Sequence, residues 1–73
     1  MYELLFVQGK TSKNRGRATR IANGKDLDQL LEIMKENLKT KGIVAPYFRM
    51  ITKEDATIID YGSYTRKYII KKV

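Results

Sequence analysis

The chain contains no cysteine, no histidine and no tryptophan, and only one proline, Pro46, in 73 residues. Without cysteine there are no disulfides, no thiolate nucleophile and no thiolate metal site, so stability must come from packing or from association. Without histidine the side chain most easily poised near neutral pH is missing, and acid–base chemistry would fall to carboxylates. Of these, Asp26, Asp28, Glu32 and Glu36 fit the charge pattern of a helix, and Glu54 with Asp55 fits a turn. Glu3 and Asp60 remain as two separate strand acids. No cluster has the spacing of metal ligands. These absences argue against an enzyme and against a cofactor or a bound metal.

Long apolar runs are missing too. Met1 to Gln8 is too short to span a bilayer and carries no basic flank of the kind that precedes a signal sequence, so a cytoplasmic protein with no membrane partner is expected. A phosphate-binding loop is suggested by Gly9, Lys10 and Thr11 after an apolar strand. That motif requires a glycine five residues before Gly9, where Leu4 stands, and a helix immediately afterwards, where a strand is expected. The motif is therefore rejected.

What is present is a folding composition, with 42% hydrophobic and 32% charged residues, in a length that suits one small domain over residues 1–73. The run 2–8 is apolar on both phases and reads as a buried strand. Residues 9–16, polar and bounded by Gly9 and Gly16, read as an exposed hairpin loop leading to a second strand at about 17–23. From Asp26 to Lys41, Leu27, Leu30, Leu31, Met34 and Leu38 form one helical stripe, with Asp26 as N-cap, Gln29 in capping-box position and Gly42 as the stop. Ile33 lies off the stripe and implies a wide buried face. Strands are then expected over Ile43–Ile51, where Pro46 marks an edge or bulge, over Ala56–Asp60, and over Tyr64–Lys72. The fold class is α+β in the order β-β-α-β-β-β, one amphipathic helix packed on a mostly antiparallel sheet of four or five strands. One helix covers one face of such a sheet, and the other face is left for solvent, a second copy or a ligand.

The charge map is the most informative feature. Lys10, Lys13, Arg15, Arg17, Arg20 and Lys25 lie between Gly9 and Lys25 without one acidic residue, and carry +6 of a net charge of +7. A hairpin so charged is able to follow a sugar-phosphate backbone. On the last strand Tyr64, Arg66 and Tyr68 share one phase, joined by Tyr47 and Arg49 further back, and on an uncovered face they would stack bases and contact phosphates. If that phase lies under the helix instead, Lys67 and Lys71 face outward. A single helix with an acidic first half suits single-stranded nucleic acid better than the major groove of a duplex, although a β-ribbon formed by the first two strands is the duplex alternative. The expectation is a nucleic-acid-binding accessory protein of a bacterium or phage, monomeric or homodimeric. The alternative is a small regulatory module that docks on a larger protein or dimerises through its sheet.

Overall fold

In the computed structural model, residues 1–9, 16–44, 47–63 and 65–73 are described. Strands β1 (Tyr2–Gln8) and β2 (Arg17–Gly24) precede helix α1 (Leu27–Thr40), and β3 (Arg49–Thr52), β4 (Ala56–Asp60) and β5 (Arg66–Lys72) follow it. The five strands form one sheet in the order β2-β1-β5-β4-β3, with every neighbouring pair antiparallel. The α+β order expected from the sequence is thus the observed one, with five strands. The first and last strands pair along their whole length, from Tyr2 opposite Lys72 to Gln8 opposite Arg66. The helix connects one edge, β2, to the other, β3, and so crosses the sheet.

The strand pleat sends alternate residues to opposite faces. Leu4, Tyr68, Ile70 and Ile59 share the face beneath the helix, where they meet Leu30, Met34 and Leu38 of α1, and all seven are buried. Leu27, Leu31 and Ile33 are half-buried around them, so the helix does present a wide apolar face. At the Leu4/Leu5 step the register of β1 against β2 slips by one residue: Leu4 faces Ala22 and Leu5 faces Arg20. Ile21 is the extra residue of this bulge, and both it and Ala22 pack on the core side. That is how a strand otherwise exposed from Arg17 to Arg20 contributes two adjacent side chains to the core.

The helix starts where Asp26, in an extended conformation, accepts the Asp28 N–H at 3.0 Å. It ends in a Schellman motif. Ile43 N–H bonds Leu38 C=O at 3.0 Å, Gly42 N–H bonds Lys39 C=O at 3.0 Å, and Gly42 takes φ +72°. This turn explains why the third strand is shorter than expected. Ile43 spends its N–H on the helix and its side chain on the core, so it does not join a ladder, and β3 begins only at Arg49. Pro46, on which the expected edge rested, lies outside the described residues, as does Tyr64 at the expected start of the last strand. Arg66 opens β5, its N–H bonded to Ser63 Oγ at 3.2 Å. Gly9 closes the far end of β1 for a different reason: a Cβ there would stand 2.9 Å from the Thr65 carbonyl oxygen that its own N–H engages.

A Cβ at Gly42 meets no atom within 4 Å, so only the positive φ resists substitution. Gly42→Ala is expected to cost about 1 kcal/mol, the strain of an L-residue in the left-handed region, read as a lower urea midpoint with an unchanged slope.

Candidate nucleic-acid interface

Three connections and the helix C-terminus gather at one end of the sheet. Gly9 follows β1 and Gly16 precedes β2 there, Lys41 and Gly42 end the helix there, and residues 47–48, 61–63 and 65 border it. The register aligns Arg17, Gln8 and Arg66 side by side across β2, β1 and β5. Both arginines are exposed. One residue inward, on the opposite face, Val7 stands between Ala18 and the exposed Lys67. The same end carries Arg49 and, on the helix, Lys39 and Lys41. Of the carboxylates, Asp60 lies at this level and is occupied with the Gly62 N–H at 2.9 Å. At the opposite end Glu3, Asp26, Asp28, Glu54 and Asp55 stand among Lys25, Lys53, Lys71 and Lys72, so five carboxylates meet four lysines and no positive excess remains. Among the described residues the one ion pair is Lys35–Glu32, an exposed i,i+3 pair at 3.6 Å. The cations of the basic end are unpaired with carboxylates within that set.

The candidate residues divide sharply. Arg17 and Arg66 are brought together, and Arg20 is exposed on the uncovered face opposite Leu5. Lys10, Lys13, Arg15 and Tyr64 lie outside the described residues. Tyr68 is corrected from a stacking residue to a core residue: its exposure is 0%, and no base has access to its ring. The phase shared by Arg66 and Tyr68 is the one under the helix, and Lys67 and Lys71 are the residues that face outward. The aromatic rings that are accessible here are Tyr47, 52% exposed, and Phe48, 45% exposed, immediately before Arg49. Phe48 was not singled out by sequence reasoning, and its signal was adjacency to an arginine at the start of a strand.

Beneath the helix C-terminus the rings of Phe6, Tyr68 and Tyr61 form a row, with centroids 5.2 Å apart for Phe6–Tyr68 and 5.6 Å for Tyr61–Tyr68. The Lys41 ammonium lies 3.5 Å from the Phe6 centroid, a cation–π contact. The Tyr68 hydroxyl donates to Asn37 Oδ1 at 2.6 Å. Burial, with the neighbouring Tyr61 phenol adding to it, pushes the Tyr68 hydroxyl up from 10.0 to about 12. Next to this row lies a cleft of about 400 Å³ between the helix C-terminus and β1–β2, lined by Phe6 and Ile21, by the polar Gln8, Thr19 and Asn37, and by the cations Arg17 and Lys41.

Among the described residues no group of three or more acidic, histidine or cysteine side chains is placed to hold a metal, and no helix is long and apolar enough to cross a membrane. No family model matches the chain, and neither a curated protein nor a solved structure matches it.

The two buried tyrosines make opposite use of their hydroxyls. Tyr61 is 3% exposed and its hydroxyl has no hydrogen-bond partner among the described residues. Tyr61→Phe is therefore expected to leave stability unchanged or raise it, whereas Tyr68→Phe loses about 1 kcal/mol in the same denaturation assay. The raised Tyr68 value also sets a pH window. Below pH 10.0 the tyrosine is neutral in both folded and unfolded chains; above it the unfolded chain ionises first, so stability falls as pH rises towards about 12. Tyr68→Phe should show a shallower alkaline decline than the unmodified chain across that window.

Proposed function

We propose that the protein binds single-stranded nucleic acid through its basic end and acts by binding rather than by catalysis. The observation that carries this reading is the row Arg17–Gln8–Arg66, with both arginines exposed, at the end of the sheet where Gly9 and Gly16 flank β1 and β2 and with Lys67, Lys41 and Arg49 around it. Phosphates replace condensed counterions on such a surface, and Gln8 offers an amide between two guanidinium groups. Exposed Tyr47 and Phe48 at the same end supply ring faces for unpaired bases. The one helix among the described residues lies flat on the sheet and turns Asp28, Glu32 and Glu36 to solvent, which opposes insertion into a duplex groove.

A second reading is supported by the uncovered face. There Leu5, Ile69, Ile58 and Ile51 are successive neighbours across four strands, an aliphatic row with Arg20 at its end and Lys67, Lys71 and Arg49 beside it. A partner protein with an apolar segment flanked by carboxylates would complement it, and a second copy of this chain would cover the aliphatic row.

Fluorescence anisotropy with labelled oligonucleotides at several salt concentrations separates these readings. The expected result is preference for single strands and a log–log salt slope of about −3.5, from about five phosphate contacts. Arg17→Gln with Arg66→Gln should weaken binding about tenfold or more, while Lys25→Gln with Lys53→Gln, which removes the same charge from the opposite end, should change it little. Equal losses from the two pairs would sink the assignment to the basic end. Absence of binding at low salt, together with a concentration-dependent mass abolished by Ile58→Glu, would establish the sheet-face reading instead.

A further inference from the structure

The cleft beside the helix C-terminus is built from three elements that meet only in the folded chain: Phe6 and Gln8 from β1, Arg17, Thr19 and Ile21 from β2, and Asn37 and Lys41 from α1. Its volume of about 400 Å³ is that of a site for a small organic ligand. Its lining combines apolar, polar and cationic groups. Ile21 lines the cleft because the β2 bulge turns it to the helix side, and with Phe6 it supplies the apolar part. Asn37 spends its side-chain oxygen on the Tyr68 hydroxyl, which orients the amide and leaves its NH₂ as a donor. Gln8 adds a second amide and Thr19 a hydroxyl. Two cations, Arg17 and Lys41, also line it, neither paired with a carboxylate among the described residues. The Lys41 ammonium lies over the Phe6 ring, 3.5 Å from its centroid, so it covers one face of that ring and leaves the edge.

An apolar patch at Ile21 and the Phe6 edge, an amide donor oriented by Tyr68 and two cations match a ligand with a flat heterocycle at one end and a phosphate at the other. We infer that this cleft is a nucleotide pocket, which takes one nucleotide unit with its base against Ile21 and the edge of Phe6, its base-edge acceptors towards Asn37 and Gln8, and its phosphate between Arg17 and Lys41. The inference rests on the nucleic-acid reading for its biological ligand, a unit of a strand, but the pocket is equally able to take a free nucleotide, and the experiment separates the two.

Amide chemical shifts of the isotope-labelled full chain are followed during titration with uridine 5′-monophosphate, uridine, inorganic phosphate and a short oligouridylate. The nucleotide and the oligonucleotide should perturb Phe6, Thr19, Ile21 and Asn37 in a saturable way, and phosphate alone should bind at least about tenfold more weakly than the nucleotide. Thr19 is exposed on an edge strand, where an aromatic is well tolerated, so Thr19→Trp fills the cleft without burying new bulk in the core. It should abolish nucleotide binding. Lys41→Gln should weaken the nucleotide about tenfold while leaving uridine unaffected, which ties the cation to the phosphate. Oligonucleotide binding that survives Thr19→Trp with no shifts in the cleft overturns the pocket and leaves the basic-end reading standing. Nucleotide binding in the cleft without strand binding keeps the pocket and overturns the strand reading. Phosphate binding as tight as the nucleotide overturns the pocket as a base site.

Discussion

The antiparallel pairing of β1 with β5 is the constraint on which the rest of the molecule depends. It joins the first residues of the chain to the last, Tyr2 to Lys72 and Gln8 to Arg66, and so unites a hairpin made near the N-terminus with a meander made near the C-terminus. Each half alone would be a two- or three-stranded ribbon with one apolar face and nothing to cover it. Joined, they form a sheet wide enough for the helix to lie on, and Leu4, Ile70 and Tyr68 fall at its centre. The same register brings Arg66 level with Arg17, residues far apart in sequence, with Gln8 between them. The basic end is therefore a product of the pairing that makes the core.

How much of this was legible in the sequence depended on whether the information was local. Strand β1, strand β4 and the helix with its Asp26 cap and Gly42 stop coincide closely with the expected elements, because periodicity, capping and glycine chemistry act within a few residues. The third strand was overextended because Ile43 and Val44 have strand-like side chains, while the Schellman turn that claims the Ile43 N–H is a backbone event. The bulge at Ile21 left no signature in composition, since it exists only against the partner strand.

The candidate site shows the same limit more sharply. Alternation along the last strand revealed that Arg66 and Tyr68 share a face and that Lys67 and Ile69 share the other, but both phases carry large apolar groups, and nothing along the strand says which one a helix covers. The answer lies with Asn37, which stands 31 residues away and receives the Tyr68 hydroxyl. A tyrosine with its hydroxyl satisfied in this way is stable in a core that an arginine is not, and so Arg66 appears at the rim of the same face. The cleft, assembled from β1, β2 and α1, has no linear motif at all.

The excess positive charge of this chain is concentrated at one end of its sheet, and the opposite end carries none. In the field of a polyanion such a molecule would experience a torque as well as an attraction, with the helix C-terminus and the adjoining ends of β1 and β2 leading. Orientation during diffusion would then narrow the search before any specific contact forms. The opposite end, where the Val73 N–H bonds the Met1 carbonyl, would face away from the polyanion.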